Sequence, residues 1–329
     1  MRLAFAAALG SPLLLAGCGG AQSWLSPLGP NAAETLDLFR LTLWVSAFVV
    51  LLVGGTLLHA LFARRRWRGS DRYRLLLMAG GGVVLPAVVL PVFLVQSLRI
   101  DWPFAEERPA ELTIDVVAWQ FWWEIRYPSP DGGAPIVSAN ELRIPAGVPV
   151  RFRLTTADVI HSFWIPKLAG KVDMVPGRVN YALVQADAPD TFRGACFEFC
   201  GLQHAHMAFD VIAMPPADFS DWLAREAQPA RPPDTEEARA GARLFIESGC
   251  GSCHAVRGLP GADGEVAPDL THVGSRRTIG AGMLPNRLGA LAGWIAATQQ
   301  VKPGANMPSF NQLSGPELHT LSAYLEGLR

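Results

Sequence analysis

Two cysteines, a histidine and a methionine lie close together in one short segment, Cys196-Phe-Glu-Phe-Cys200-Gly-Leu-Gln-His204-Ala-His-Met207. Thiolate, imidazole and thioether groups are soft metal ligands. Their combination favours copper over zinc, because zinc sites rarely include a thioether. One thiolate would indicate a mononuclear blue-copper centre, whereas two thiolates in one loop can bridge two copper ions that share one electron. Such a site transfers electrons and leaves no open position for a substrate.

A Cys-x-x-x-Cys pair by itself is also typical of a redox-active dithiol or of a structural zinc loop. The residues around the pair decide between these readings. Two copper ions need a second histidine, and His161 in Asp-Val-Ile-His161-Ser-Phe-Trp-Ile-Pro166 lies 35 residues before Cys196. The sequence therefore favours the binuclear copper site.

Together with His161, the segment resembles the binuclear copper (CuA) site of cytochrome c oxidase subunit II. It matches that family's Cys-x-Glu-x-Cys-Gly-x-x-His-x-x-Met pattern at every defined position. The resemblance implies that Cys196 and Cys200 supply bridging thiolates and that His161 and His204 supply terminal imidazoles. It also implies that Met207 is a weak thioether ligand and that the main-chain carbonyl of Glu198 is the last ligand. It also implies that the Glu198 side chain binds magnesium at the interface with the catalytic subunit.

The composition indicates a membrane protein of several domains. At 329 residues the chain has room for two or three domains. Half of the residues are hydrophobic and 17% are charged, below the roughly 25% of soluble proteins. A net charge of −1 points to no nucleic-acid partner, and five cysteines are an odd number that fits no disulfide framework.

The first eighteen residues have the pattern of an export signal. Met1-Arg2 precedes an apolar run that ends in Leu15-Ala16-Gly17-Cys18. This resembles a bacterial lipoprotein signal peptide over 1–18, which implies that Cys18 is lipidated and becomes the mature N-terminus. An ordinary signal peptide with an incidental cysteine is the alternative. Both readings place the mature N-terminus outside the cytoplasm.

Residues 36–100 predict a hairpin of two transmembrane helices, at about 41–62 and 75–98, since both runs are long and apolar enough to cross a bilayer. Between them lies an arginine-rich loop in which Asp71 is the single acidic residue. The positive-inside rule places this loop in the cytoplasm and both helix ends outside. We therefore expect a multi-pass protein of the bacterial cytoplasmic (inner) membrane, with its other domains on the periplasmic or extracellular face.

Residues 108–225 change to the alternating pattern of half-buried strands, with apolar residues at every second position. Two such stretches carry Leu112, Ile114, Val116 and Ala118, and Val150, Phe152 and Leu154. Turn signals at 130–133 and 145–149 separate the strands. The pattern predicts a β-sandwich, and the family resemblance implies a cupredoxin fold. It also implies that Lys171–Arg178 lies near the catalytic subunit.

The aromatic cluster Trp119-Gln-Phe121-Trp122-Trp123 concerns electron entry. Its simplest interpretation is core packing of a strand. In the family, a tryptophan directly after this glutamine receives electrons from soluble cytochrome c. Phe121 occupies that position here, which leaves Trp122 and Trp123 as further candidates for electron entry.

A second redox motif follows a proline-rich polar linker at 226–234. Asp234 and Glu237 have capping-box spacing, which predicts the start of a helix. Cys250-Gly-Ser-Cys253-His254 is the attachment signature of c-type haem, with two thioether bonds and one axial imidazole. A thioredoxin-like pair is the alternative, but the βαβ context that it needs is missing from the pattern.

The sixth haem ligand is expected to be a methionine, which raises the haem potential. Met283 and Met307 are the methionines downstream of the attachment signature. A resemblance to class I cytochromes c over 235–329 favours Met307, which is followed by proline. Ser314-Gly-Pro-Glu317 predicts a last helix by its capping box, and the resemblance implies that this helix crosses the first one and pairs Tyr324 with Gly241–Phe245.

These features together resemble subunit II of a bacterial caa-type cytochrome c oxidase with a fused cytochrome c. The resemblance implies electron flow from haem c to CuA and on to subunit I, where oxygen is reduced and protons are pumped. It also implies subunit III, membrane lipid and an upstream donor, a cytochrome bc1-type complex or a soluble cytochrome c, as partners. The family often has a glutamate for proton uptake where Ala79 stands here.

Three other classes are possible for such a chain. A quinol oxidase subunit II lacks the copper ligands that are present here. A thioredoxin-like copper chaperone has a different histidine spacing and no haem motif. A CuA-containing subunit of a nitric oxide reductase stays open, because the catalytic subunit decides the terminal reaction.

Overall fold

Two apolar helices, a β-sandwich and a small helical domain follow one another in the computed structural model, which describes residues 20–62, 71–100 and 109–329. This order confirms the predicted fold class. The predicted lipidation site Cys18 and the greater part of the arginine-rich loop lie outside the described residues.

The first apolar helix, α1, spans Pro30–Phe62 and begins eleven residues before the predicted membrane span at 41. Its first turns pack on the sandwich, where Ala32 and Leu36 are buried. The amide of Ala32 donates to the Leu168 carbonyl at 3.2 Å. The turns before residue 41 are helical because they pack against the surface of the sandwich. The apolar run in the sequence does not reveal this contact.

The second apolar helix is continuous over Asp71–Arg99. It comprises α2 (Asp71–Ala79), a π-helical turn at Gly80–Val84 and α3 (Leu85–Arg99). A proline ring clashes with the carbonyl four residues before it, and for Pro86 that residue is Gly82, inside the π-helical turn. Most large apolar side chains of both helices are exposed in the isolated chain, as expected of surfaces that face lipid.

The sandwich consists of two five-stranded sheets. The strands are β1 (Leu112–Trp119), β2 (Trp122–Tyr127), β3 (Ile136–Ala139), β4 (Glu141–Pro145), β5 (Val150–Thr156), β6 (His161–Trp164), β7 (Val172–Met174), β8 (Asn180–Val184), β9 (Asp190–Cys196) and β10 (Ala208–Met214). One sheet has the order β3-β2-β1-β5-β8 and the other the order β4-β10-β9-β6-β7. Inward-facing residues alternate along β1 and β5 as the sequence predicted. Gly194 is required for close packing between neighbouring strands, because a Cβ there would lie 2.1 Å from the ring of Phe209.

Helix α4 (Pro216–Glu226) closes one end of the sandwich, where Trp222 packs edge-on against Tyr127 with 5.1 Å between ring centroids. The residues after α4 are bound to the helical domain. The Ala230 amide donates to the Arg257 carbonyl at 2.8 Å, and His272 is hydrogen-bonded to the Gln228 carbonyl at 3.0 Å.

The helical domain contains α5 (Glu236–Glu247), α6 (Leu288–Val301), α7 (Gly315–Gly327) and a short hairpin of β11 (Thr278–Ile279) and β12 (Leu284–Pro285). Helices α5 and α7 cross as predicted. A Cβ at Gly241 would lie 2.5 Å from the Tyr324 Cβ, and the rings of Phe245 and Tyr324 are 6.2 Å apart. Glycine is therefore needed at the crossing point.

Of the two predicted capping boxes, one is confirmed and one is wrong. Ser314 and Glu317 form the reciprocal hydrogen bonds of a capping box at the start of α7. At α5 the N-cap is Thr235, whose hydroxyl accepts from the Ala238 amide at 3.1 Å. Asp234 therefore lies one residue before the N-cap, because threonine is also a preferred N-cap residue and Thr235 takes that position.

Candidate metal centres

The predicted copper ligands come from two strands and the loop after them. His161 is the first residue of β6 and Cys196 is the last residue of β9, and these strands pair with Phe163 opposite Cys196. The loop from Cys196 closes on itself, since the Cys196 amide donates to the Met207 carbonyl at 2.9 Å. Sheet pairing thus brings together a histidine and a cysteine that are 35 residues apart.

The six predicted donor groups lie around one small space. Each thiol contacts one imidazole and one further donor, and the two sulfur atoms are 3.8 Å apart. This separation excludes a disulfide, whose S–S bond is about 2.05 Å. Cys196 Sγ lies 3.7 Å from His161 Nδ1 and 3.3 Å from the Glu198 carbonyl oxygen. Cys200 Sγ lies 3.6 Å from His204 Nδ1 and 3.9 Å from Met207 Sδ.

The electrostatics of the buried thiol pair favour metal binding. A hydrogen bond from Cys200 lowers the pKa of Cys196 despite its burial, while the same bond and burial raise the pKa of Cys200. Burial lowers the pKa of His161, but its bonds to Cys196 and Asp158 outweigh that effect and raise it. Because the thiolate is the form that binds metals, the lowered pKa of Cys196 favours metal binding.

Two residues that the sequence analysis did not single out position these ligands. Asp158 Oδ1 bonds His161 Nε2 at 2.8 Å, which directs the other ring nitrogen, Nδ1, towards the sulfur of Cys196. Asp158 Oδ2 accepts from the Gln120 amide at 2.6 Å, and Gln120 Nε2 donates to the Cys200 carbonyl at 2.6 Å. The spacing Asp-x-x-His was the signal available for Asp158.

The outward side of the ligand loop is aromatic and acidic. Phe199 is 80% exposed and Phe197 is 46% exposed. The Glu198 carboxylate pairs with Lys171 at 2.5 Å, and Lys171 also pairs with Asp173 at 2.8 Å. The predicted interface segment Lys171–Arg178 therefore adjoins the predicted magnesium ligand.

The three predicted electron-entry residues have different surroundings. Phe121 is 7% exposed. The ring of Trp122 stacks on Trp119 with 5.8 Å between centroids. Trp123 is buried in the sandwich core, and its ring centroid lies 6.4 Å from that of His161.

The haem attachment residues form a turn in the helical domain. Cys250 opens a short 3-10 turn that runs to Ser252, and Cys253 follows it. His254 Nδ1 bonds the Pro268 carbonyl at 2.7 Å, which leaves Nε2 as the nitrogen available to an iron. Burial lowers the pKa of His254 and thus favours the neutral imidazole that binds metals.

The surroundings of this turn fit a haem. Partly buried apolar side chains pack against the core of this domain, among them Leu259, Leu270, Leu284, Trp294, Met307 and Phe310. The Nε atoms of Arg257 and Arg276 are buried without a partner among the described residues. A haem carries carboxylates that could accept hydrogen bonds from such groups. The main chain of Met307 is held by Gln299, whose Nε2 donates to the Met307 carbonyl at 2.7 Å.

Two family models match the two predicted redox domains. The one described as cytochrome c oxidase subunit II, periplasmic domain, matches residues 129–214, and the one described as cytochrome c matches residues 238–329. The cytochrome c oxidase subunit 2 of Alkalihalophilus pseudofirmus is 33% identical over 330 residues, which cover 96% of this chain and 94% of that protein. The chain belongs to the cytochrome c oxidase subunit 2 family.

Two further proteins are similar to this chain. Cytochrome c oxidase subunit 2 of Bacillus subtilis is 30% identical over 97% of this chain and 95% of its own length. The crystal structure of the periplasmic domain of subunit II of cytochrome oxidase of Bradyrhizobium japonicum has 31% sequence identity, covers 36% of this chain and 95% of that chain, and has a TM-score of 0.34.

Family membership confirms the predicted class of function. This subunit 2 is part of a haem-copper oxidase, serves electron input, and has a cytochrome c domain in addition to its copper domain. Its two apolar helices and its relatives identify it as a membrane protein with a periplasmic domain. The two domain types imply CuA copper and haem c as cofactors.

Proposed function

We propose that this subunit passes electrons from a covalently bound haem c to a CuA centre and from there to subunit I of a caa-type oxidase. The observation that carries the proposal is the donor set of the ligand loop, in which two buried thiols 3.8 Å apart each contact one imidazole. Cys196 and Cys200 would hold both copper ions, His161 and His204 would each bind one of them, and Met207 and the Glu198 carbonyl would be weaker ligands. Bound copper supplies one-electron redox chemistry.

The residues of the chain supply orientation and exclusion of water. Asp158 fixes the ring of His161, and Gln120 fixes the carbonyl of Cys200. Cys196 and Cys200 are 4% and 2% exposed. Ligands that are held by their own hydrogen bonds and shielded from water change position little when the charge at the site changes.

Cys250 and Cys253 would hold the haem c by thioether bonds, and His254 and Met307 would supply the ligands to its iron. The Pro268 carbonyl orients the imidazole of His254 by its 2.7 Å hydrogen bond. Phe121, Trp122 and Trp123 are the proposed entry region of the copper domain. Electrons leave the copper domain for subunit I, where oxygen is reduced and protons are pumped.

The remaining assignments follow from the same family. Magnesium binds the Glu198 carboxylate at the boundary with subunit I, near Lys171. The chain lies in the bacterial inner membrane as a multi-pass protein with Cys18 lipidated, assembles with subunits I and III, and accepts electrons from a cytochrome bc1-type complex or a soluble cytochrome c. A nitric oxide reductase is less well supported, because the relatives are named as cytochrome c oxidases.

Electron paramagnetic resonance of the purified protein tests the copper assignment. A mixed-valence pair gives a seven-line copper hyperfine pattern, which Cys196→Ser should abolish. His206→Ala is the matched control, because the His206 ring bonds Gln203 at 2.8 Å and not the thiols. A four-line mononuclear signal, or zinc in place of copper, would overturn the proposal.

A further inference from the structure

We propose that Lys302 and Gln203 form an interdomain clasp that locks the fused cytochrome c domain onto the copper domain, so that electrons cross between the two ligand loops without domain movement. Lys302 and Gln203 are positioning residues in this proposal. The inference rests on the proposed function, since it concerns the route between the haem and the copper site.

The side chain of Lys302 is buried at the boundary between the two domains. Lys302 directly follows α6 and is 2% exposed. Its ammonium group donates to three main-chain carbonyls, those of Phe121 at 2.9 Å and His206 at 2.8 Å in the copper domain, and that of Gly280 at 2.9 Å in its own domain. An ammonium has three N–H donors, so every one of them has a partner.

A buried lysine is unusual, because removal of an ammonium from water is costly unless its hydrogen bonds are replaced. Burial lowers the pKa of Lys302 to about 7. Most of the 28 basic residues of this chain are arginines, yet the boundary holds a lysine. The compact ammonium suits three convergent carbonyls, whereas the planar guanidinium fork of arginine does not.

Gln203 makes the reciprocal connection from the copper side. It lies between the predicted ligands Cys200 and His204 and is 5% exposed. Its Nε2 donates to the Pro303 carbonyl at 2.8 Å, and Pro303 is the neighbour of Lys302. The clasp, Lys302 and Gln203, thus crosses the boundary in both directions.

The clasp joins the loops that carry the ligands of both metals. On the haem side, the Ala305 amide donates to the Lys302 carbonyl at 3.1 Å, and Gln299 Nε2 donates to the carbonyls of Ala305 and Met307 at 2.6 and 2.7 Å. On the copper side, His206 directly precedes Met207. Covalent bonds and hydrogen bonds thus connect Met207 with Met307 through His206, Lys302 and Ala305, without a gap.

Further contacts make the boundary a built interface. The Ala208 amide at the start of β10 donates to the Ala281 carbonyl at 3.1 Å, and Arg193 donates to the Gly282 carbonyl at 3.2 Å. The Arg277 amide donates to Glu141, which is 5% exposed. The loop that receives two of these bonds, 280–282, has positive φ at all three residues; Gly280 and Gly282 adopt this conformation without strain, and Ala281 is a non-glycine residue in it.

The redox step across the clasp is simple. One electron leaves the reduced haem iron and reduces the oxidised copper centre, with no proton transferred and no bond formed or broken. The clasp residues set only the distance and the contact between the two loops. Because Lys302 also bonds the Phe121 carbonyl, the docked domain lies at the proposed entry region of the copper domain.

The test uses the assembled oxidase complex with Lys302→Met, which keeps the length of the side chain but removes its charge and donors. Electron transfer from flash-reduced haem c to CuA is followed by haem absorbance. Hydrogen exchange of segment 203–210, which includes the Ala208 amide, reports docking independently of activity. Arg243→Met is the matched control, since Arg243 is an exposed charge on α5 that pairs only with Glu236 in the described part of the chain.

Lys302→Met should slow the transfer about tenfold, because the loss of three donors depopulates the docked state, and exchange of segment 203–210 should accelerate. The copper and haem spectra should stay unchanged. The double variant Lys302→Met/Gln203→Leu should transfer electrons no more slowly than the slower of the two single variants, because either substitution alone breaks the clasp. A transfer rate equal to that of the unsubstituted complex, or an unchanged exchange rate of segment 203–210, would overturn the clasp.

The outcomes also separate this inference from the proposed function. If the unsubstituted protein lacks the seven-line copper signal or haem c, the proposed function fails. If both signals are present and Lys302→Met transfers electrons at the normal rate, the clasp alone fails. If Lys302→Met does not assemble, Gln203→Leu is judged by the same transfer and exchange measurements.

Discussion

The bond between Asp158 and His161 leads to a quantitative prediction about copper retention. Asp158 Oδ1 bonds His161 Nε2 at 2.8 Å and accepts from the Val159 amide at 2.7 Å, while Oδ2 accepts from the Gln120 amide at 2.6 Å. Asp158→Ala removes every one of these acceptors and leaves the imidazole without an orienting partner. Loss of such a partner typically costs about 10–100-fold in metal affinity, which corresponds to about 1.4–2.8 kcal/mol.

Asp158→Asn should have a smaller effect, because the amide keeps one oxygen for His161 and loses the charge. A hydrogen bond to a charged group contributes about 1.5–3 kcal/mol and a neutral one about 0.5–1.5 kcal/mol. The difference of about 1 kcal/mol predicts a loss of affinity of about fivefold. The Gln120 amide would then face the new NH2 group and lose its acceptor, which adds to the cost.

Competition with a copper chelator measures these affinities on the full-length protein, with the seven-line resonance as the measure of copper that is retained. Asp115→Asn serves as the control, since Asp115 is a half-exposed carboxylate in the same domain that pairs with Arg153 at 3.2 Å. The expected order of retention is control, Asp158→Asn, Asp158→Ala. Equal retention by Asp158→Ala and the control would show that the carboxylate does not support the imidazole, and the reasoning would be wrong.

Three further predictions concern the cytochrome c domain. Gly241→Val should separate the α5–α7 crossing at Tyr324 and destabilise this domain by about 1–3 kcal/mol, measured by thermal unfolding followed at the haem, with the copper resonance unchanged. Ser314→Ala should cost about 1 kcal/mol through loss of the N-cap bond from the Glu317 amide, at any pH. The hydrogen bonds from Ser314 to the Glu317 carboxylate lower its pKa, so their separate contribution should be present above pH 4.5 and be lost as the pH falls through the lowered pKa. Deletion of 230–329 should leave CuA assembled but slow oxygen consumption with the native donor strongly, and equal rates would contradict haem c as the entry point.

The sequence predicted those features that depend on local spacing. The alternation from Leu112 to Ala118 gave an inward-facing strand, and the capping box at Ser314 gave the start of α7, because each pattern is complete within one element. The copper ligand loop was equally local. Only His161 had to be supplied from elsewhere in the chain, and sheet pairing of β6 with β9 places it beside Cys196.

Features that depend on contacts between distant segments were not predicted. Lys302 precedes Pro-Gly and has the appearance of an ordinary surface lysine, and its burial depends on carbonyls of Phe121 and His206 that no periodic pattern encodes. Asp158 differs from Lys302, because its bond to His161 is local and the spacing Asp-x-x-His was a signal that the sequence contained. The helix that contains the predicted membrane span at about 41–62 begins already at Pro30, and this extension was not predicted, because its first turns are helical on the surface of the sandwich and not in an apolar run.

The continuity of α1 from the sandwich into its apolar span has a geometric consequence. The Leu28 amide donates to the Lys167 carbonyl at 2.8 Å, so the helix is attached to the copper domain before its first turn. Each residue inserted into an α-helix turns everything beyond it by about 100° and displaces it by about 1.5 Å. Residues inserted after Leu36 should therefore rotate the copper site about the helix axis. Electron transfer from this site to a membrane partner that stays in place should recover each time the insertion completes a turn of the helix, and it should not decline steadily with the inserted length.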